Sequence, residues 1–223
     1  AELRKENKMN LANKLTIFRI ILVPVIMIIP IIDSLVGIPG EFLGISTAFW
    51  IMNIIFIIAS LTDKLDGYIA RSRNQVTTFG KFLDPLADKI LVLSALIILV
   101  EYGKIPSWIP IIVLAREFIV SGYRLIAVEK GGKVIAASIW GKLKTVTQMI
   151  AIILAFLDKF KFGDFIYRVS TEAQAQVSSA SIYMTTGQFI INILTTIMLT
   201  ISIIATIFSG INYLKGGKDL FKE

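Results

Sequence analysis

Long apolar segments recur along almost the whole chain, and they constrain its fold more than any other feature. Each is close to, or longer than, the roughly 20 residues that a helix needs to cross the hydrocarbon core of a bilayer. Polar residues, glycines and prolines divide them into six blocks, at residues 15–33, 43–73, 83–101, 106–129, 136–158 and 182–213. The sequence therefore predicts an all-α integral membrane protein with six transmembrane helices.

The composition favours one membrane domain and leaves no room for a separate soluble one. Of the 223 residues, 55% are apolar and 17% are charged, whereas soluble domains average about 45–50% and about 25%. We expect residues 9–223 to form a single membrane domain in a lipid bilayer. Residues 1–8 precede Met9, which resembles a native start, and we interpret them as an added remnant.

Two residue types are missing from the chain, and their absence excludes several kinds of chemistry. It has no cysteine and no histidine, so disulfides, thiol nucleophiles, histidine bases and the usual zinc ligands are excluded. The net charge of +7 could indicate nucleic acid. In so hydrophobic a chain, basic loops beside anionic lipid explain it better, and we expect no nucleic-acid partner.

The distribution of lysine and arginine predicts the orientation in the membrane. Most basic residues fall at the ends of blocks that would share one side: Arg4, Lys5, Lys8, Lys14, Lys64, Arg71, Arg73, Lys81, Arg124, Lys130, Lys133, Lys142, Lys144, Lys215, Lys218 and Lys222. The other side holds Lys104, Lys159, Lys161 and Arg168. By the positive-inside rule both termini are cytoplasmic, and the polar stretch 158–181 is an outer loop.

Four aspartates lie where the second block turns polar and the third begins. On a helix Asp63, Asp66, Gly67 and Ala70 share one face with Arg71 at its border, and Gly80, Asp84 and Asp88 share another face at a spacing of four. Clustered carboxylates repel one another unless cations bind between them. An all-oxygen ligand set suits Mg²⁺ or Mn²⁺, which commonly bridge carboxylates to substrate phosphates. We therefore predict a metal site for a phosphorylated substrate, with small residues that let a nucleotide approach.

These residues resemble the signature of the CDP-alcohol phosphotransferase family, D-x2-D-G-x2-A-R-x8-G-x3-D-x3-D. Every fixed position is matched, by Asp63, Asp66, Gly67, Ala70, Arg71, Gly80, Asp84 and Asp88. The resemblance implies transfer of a phosphatidyl group from a CDP-linked lipid to an alcohol, with release of CMP.

The same resemblance implies roles for the matched residues. Divalent metal is expected at Asp63, Asp66, Asp84 and Asp88, and CDP at Asp63, Asp66, Gly67, Ala70, Arg71 and Gly80. Asp88 is expected to be the general base. A homodimer in the bacterial plasma membrane, with its active site facing the cytoplasm, is also implied.

Two further charged segments bear on the acceptor alcohol. Arg116-Glu117-Phe118, with Arg124 after it, and Gly141-Lys142-Leu143-Lys144-Thr145 resemble the bacterial branch of the family that uses glycerol 3-phosphate. We expect the acceptor phosphate to bind at Arg116, Arg124, Lys142 and Lys144, and Glu117 to neutralise a neighbouring cation. The product would be phosphatidylglycerol phosphate, made from CDP-diacylglycerol.

Several alternatives remain open at this point. The basic residues could serve topology alone, with their long side chains reaching the interface. The acceptor could be inositol phosphate, serine or phosphatidylglycerol. A divalent-cation transporter would also need intramembrane acids, although transporter sites usually lie near the midplane. A structural scaffold would leave the acidic cluster unexplained.

Overall fold

The computed structural model describes residues 11–72, 78–129, 139–165 and 185–216. This part of the chain holds six long helices: α1 (Leu11–Val36), α2 (Thr47–Ser72), α3 (Thr78–Glu101), α4 (Trp108–Glu129), α5 (Ile139–Leu157) and α6 (Thr186–Gly216). Each predicted block corresponds to one of them, so the helical prediction is confirmed. Two short strands, β1 (Glu41–Phe42) and β2 (Ile45–Ser46), form an antiparallel pair before α2, and this pair was not predicted.

Three helical segments of the described chain are long and apolar enough to cross a membrane. They are Lys14–Val36, Ile139–Leu157 and Thr186–Lys215. A shorter apolar segment, Thr47–Thr62, lies in α2. The protein is thus a helical membrane protein, while the count of six transmembrane helices stays a prediction.

Small side chains allow the helices to pack closely. Ala48 and Ala59 of α2, Ala95 of α3 and Ala151 of α5 are fully buried, and such residues let backbones approach where lipid provides no hydrophobic driving force. Larger side chains fill the remaining space, as where the rings of Phe56 and Phe156 lie 6.4 Å apart. The core therefore lies mainly among α1, α2, α3 and α5.

Polar contacts close one end of the bundle. The chain leaves α1 at Gly37, whose φ of 72° suits glycine, and Asp33 accepts a hydrogen bond of 2.8 Å from the Tyr102 hydroxyl after α3. Lys104 donates to the carbonyl of Asp158 after α5, and Asn192 of α6 donates to the Asp158 carboxylate at 2.9 Å. We call this the Asp158 end.

Burial acts on the charges at the Asp158 end. It raises the pKa of Asp158 above its usual value, against the opposing effect of hydrogen bonds from Phe160 and Asn192 and of the Lys104 charge. Burial likewise lowers the pKa of Lys104. Burial therefore makes the charged form of each group less favourable than it is in water.

Candidate active site

The eight signature residues all fall on α2 and α3. The backbone is helical at each of them, as the predicted shared faces require. Apart from that backbone, seven lie outside the described residues: Asp63, Asp66, Gly67, Ala70, Arg71, Gly80 and Asp84. Asp88, two turns into α3 beyond Gly80, is described and partly buried.

A cavity of about 290 Å³ opens beside Asp88, between α3, α4 and α5. All three helices contribute polar side chains to its lining: Asp88 and Lys89 from α3, Glu117 and Ser121 from α4, and Lys144, Thr145 and Gln148 from α5. Glu117 and Ser121 are four residues apart, as are Lys144 and Gln148, so the members of each pair point the same way. The rest of the lining is mostly apolar, with Leu93, Val113 and Met149 among its members.

Glu117 lies at the centre of the charged groups. Its Oε1 accepts hydrogen bonds from Lys144 Nζ at 2.6 Å and from Arg116 Nη1 at 2.8 Å. Its Oε2 lies 3.6 Å from Lys89 Nζ, which also donates to the Ser121 hydroxyl. The predicted role of Glu117 in neutralising a neighbouring cation is confirmed, and it serves three cations rather than one.

Among the described residues, the charges around Glu117 do not balance. Three cations face the Glu117 carboxylate, Asp88 is the second carboxylate of the cavity lining, and the side chains of Lys144 and Arg116 are only 8% and 13% exposed. Asp88 also acts electrostatically on Lys144. Buried charge is costly unless it is compensated. A small anion in the cavity would compensate the surplus positive charge.

Two side chains of helix α6 contact the two arginines of α4. The Ser209 hydroxyl accepts from Arg116 Nη2 at 2.7 Å and from Nε at 3.3 Å. The Tyr213 hydroxyl accepts from Arg124 Nη2 at 3.0 Å, and both guanidinium groups lie within 6 Å of the Tyr213 ring, at 5.9 and 5.7 Å. Neither arginine is part of the cavity lining given by the described residues.

The four basic residues predicted for the acceptor therefore take different positions. Lys144 lines the cavity and Arg116 shares its carboxylate partner. Arg124 is exposed two turns further along α4, and Lys142 is exposed on α5. The structure joins the first two at Glu117. Arg124 lies beside the Tyr213 ring that also contacts Arg116, outside the cavity lining.

Sequence reasoning did not assign four of the neighbouring residues, Lys89, Ser121, Ser209 and Tyr213. Ser121 lies one turn after Glu117, so helical spacing could have identified it, whereas Lys89 is adjacent to Asp88 and points about 100° away from it. Ser209 is 93 residues from Arg116 in the chain, and no periodicity links them.

Arg19 of α1 also lies inside the bundle. It is fully buried, and its Nε donates to the Ala59 carbonyl of α2 at 3.3 Å. Ala59 precedes Asp63 by one helical turn. Arg19 therefore joins α1 to α2 about one turn before the first signature residue.

The helical bundle, its cavity and the signature on two neighbouring helices define a class of membrane transferase. The chain belongs to the CDP-alcohol phosphatidyltransferase family, whose profile matches residues 9–211.

Individual relatives carry more specific names. The CDP-diacylglycerol–glycerol-3-phosphate 3-phosphatidyltransferase of Bacillus subtilis is 47% identical over 156 residues, which is 69% of this chain and 79% of that protein. The enzyme of the same name from Haemophilus influenzae is 43% identical over 149 residues, or 65% and 74% of the two chains. That of Rickettsia typhi is 35% identical over 213 residues, covering 95% of this chain and 99% of its own.

The family uses divalent metal ions, and the donor set of this chain fits them. Asp88 places a carboxylate at the cavity, and three further aspartates stand on the same helix and its neighbour. Oxygen ligands of this kind suit a hard divalent cation. Within the described residues no group of three His, Cys, Asp or Glu side chains could hold a metal ion. Asp63, Asp66 and Asp84 lie outside the described residues.

Proposed function

We propose that this protein transfers the phosphatidyl group of CDP-diacylglycerol to glycerol 3-phosphate, giving phosphatidylglycerol phosphate and CMP. The observation that carries the proposal is the cavity that joins Asp88 of the family signature to the cationic group around Glu117. It offers a proton acceptor and an anion site within one small space. Relatives that carry this activity in their names support the same reaction.

The acceptor hydroxyl is the nucleophile in this reaction. Its oxygen attacks the β-phosphorus of the CDP-lipid, and the bond from that phosphorus to the bridging oxygen of CMP breaks, so CMP leaves with the bonding pair. Asp88 takes the hydroxyl proton as general base. The transfer needs no covalent enzyme intermediate.

Asp63, Asp66 and Asp84, with Asp88, would hold one or two Mg²⁺ or Mn²⁺ ions. Bound there, a divalent ion supplies neutralisation of the diphosphate and stabilises the charge on the leaving phosphate. Gly67, Ala70 and Gly80 leave space for the nucleotide, and Arg71 binds a phosphate oxygen of the donor.

Lys144 and Arg116 bind the acceptor phosphate in this proposal. Both are already held by Glu117, so they are oriented before the substrate arrives and lose little freedom on binding it. Arg124 and Lys142 belong to the same predicted set but do not line the cavity.

The active site faces the cytoplasm of a bacterial cell in this proposal. Six spans and cytoplasmic termini would place the α2 to α3 turn, the start of α5 and the end of α6 on that side, as the lysine and arginine distribution favours. We also propose a homodimer in the plasma membrane.

The activity is tested by CMP release from CDP-diacylglycerol, using the purified full chain and a panel of alcohols. We expect glycerol 3-phosphate to be used best, ahead of glycerol, serine and inositol phosphate. Better use of serine or inositol phosphate would refute the acceptor and leave the family intact. If no alcohol led to CMP release, the proposed transferase activity would be refuted.

Two lysines on one helix provide a matched pair for the acceptor site. Lys144→Gln should lower kcat/KM for glycerol 3-phosphate by about ten- to a hundredfold, because a charge-assisted hydrogen bond contributes roughly 1.5 to 3 kcal/mol. Lys142→Gln, two residues earlier on another face of the helix and exposed, should cost less. Equal losses in both variants would mean that the cavity does not define the phosphate site.

A further inference from the structure

Gln148 is a buried polar residue that the reaction described so far does not use. It lies on α5 and is 3% exposed, and its side chain lines the cavity. Its Nε2 has no hydrogen-bond partner among the described residues. A buried donor without a partner is unfavourable, so the empty hydrogen-bonding position points to a group that the substrate supplies.

The position of Gln148 relative to Lys144 indicates which part of the substrate it meets. The two residues are four apart on α5, so their side chains share a face about 6 Å apart along the axis. Lys144 belongs to the charged group around Glu117. A ligand whose phosphate lies at Lys144 would reach Gln148 with the carbon chain that carries its hydroxyls.

We propose that Gln148 is a specificity-determining residue for the acceptor alcohol: its amide N–H donates a hydrogen bond to the hydroxyl of glycerol 3-phosphate that is not transferred. This inference rests on the proposed function and adds a second recognition point to it. The cations recognise the phosphate by charge. The neutral amide recognises a hydroxyl, and an acceptor without that hydroxyl leaves the buried N–H unpaired.

The test compares two acceptors that differ only in this hydroxyl. Glycerol 3-phosphate has it, and 3-hydroxypropyl phosphate lacks it while keeping the phosphate and the attacking primary alcohol. For the wild type we expect kcat/KM from CMP release to favour glycerol 3-phosphate by about five- to a hundredfold, the penalty of an unpaired buried donor. In Gln148→Met, which conserves volume, the ratio should fall to within about twofold of unity. The reason is that kcat/KM should fall for glycerol 3-phosphate and stay the same for 3-hydroxypropyl phosphate.

The ratio of the two kcat/KM values is measured within one preparation. A lower fraction of folded protein reduces both values equally and therefore does not change the ratio. Asn53→Leu is the matched control, because Asn53 is a buried amide of α2 with an unpartnered Oδ1 in the described chain, and it does not line the cavity. It should keep the wild-type ratio.

Each outcome bears on one of the two proposals. A wild type that does not discriminate, a Gln148→Met ratio equal to that of the wild type, or an Asn53→Leu ratio that falls as far would overturn the role of Gln148 while leaving the transferase in place. A wild type that releases no CMP with glycerol 3-phosphate would overturn the proposed function and this inference together.

Discussion

Glu117→Gln is the most direct test of the charged group beside the cavity. The substitution keeps the shape of the side chain and one acceptor oxygen, but it removes the negative charge that faces Lys144, Arg116 and Lys89. Two of those cations are nearly buried, with side-chain exposures of 8% for Lys144 and 13% for Arg116. Water therefore cannot replace the lost carboxylate well.

The expected cost follows from that burial. Removing one partner of a buried ion pair costs about 3 kcal/mol or more, because the remaining charge is left uncompensated. For a chain of this size that corresponds to a Tm lower by roughly 6 to 12 °C. The measurement is thermal unfolding of the purified protein in one detergent at one ionic strength.

Two further variants show whether the lost charge is what lowers the Tm of Glu117→Gln. Glu129→Gln removes an exposed acid at the end of the same helix and should leave the Tm within about 1 °C, since an exposed charge contributes little. Adding Lys144→Met to Glu117→Gln removes one surplus cation and should restore part of the lost Tm. If the Tm of Glu117→Gln equalled that of Glu129→Gln and of the wild type, the Glu117 carboxylate would not be compensating these cations.

Three other predictions concern metal, base and pH. EDTA should abolish CMP release and Mg²⁺ or Mn²⁺ should restore it, since only oxygen ligands are available; full activity after exhaustive chelation would exclude a required metal. Asp88→Asn should lower turnover by about 10² to 10⁴, the usual contribution of a general base; a wild-type rate would show that Asp88 is not the base. Because burial raises the pKa of Asp158, the folded state holds this proton at pH values where the unfolded chain has released it. The contribution of Asp158 to the free energy of unfolding therefore grows as pH falls through its native pKa and shrinks as pH rises through it. As pH is lowered from 7 towards 3.8, the ordinary value for an aspartate, the Tm of the wild type should gain on that of Asp158→Asn, and parallel curves would contradict the burial effect.

The helices and part of the site were predictable because both depend on local spacing. Long apolar blocks predicted each helix, and spacings of three and four residues predicted shared faces for the acids of the signature. The same reasoning expected Glu117 to neutralise a neighbouring cation, which its contacts with Arg116 and Lys144 confirm. Each of these inferences compares residues within one helix or on adjoining ones.

Contacts between distant helices were not predictable in this way. Ser209 and Tyr213 lie 93 and 89 residues from the arginines they hold, and only the crossing of α4 with α6 brings them together. Lys89 was missed because residues next to each other on a helix point about 100° apart, so it was not expected beside Asp88. The cavity extends round that side of α3 and includes both.

Helix α6 is much longer than its neighbour α5, and this difference has a consequence for the lipid environment. At 1.5 Å per residue, the 31 residues of α6 span about 46 Å and the 19 of α5 about 28 Å. Trp140 at the start of α5 stacks on Phe208, with ring centroids 5.0 Å apart, and Asn192 lies level with Asp158 after α5. Helix α6 therefore overhangs α5 at both ends.

A hydrocarbon layer matched to α5 is too thin for α6 to stand upright within it. A helix in such hydrophobic mismatch tilts or extends into the headgroups. The Ser209 to Tyr213 segment lies near one overhanging end, so any tilt would move the anchors of Arg116 and Arg124. Bilayer thickness, set by acyl-chain length, would thereby act on the geometry of the site that helps to build the membrane's own lipids.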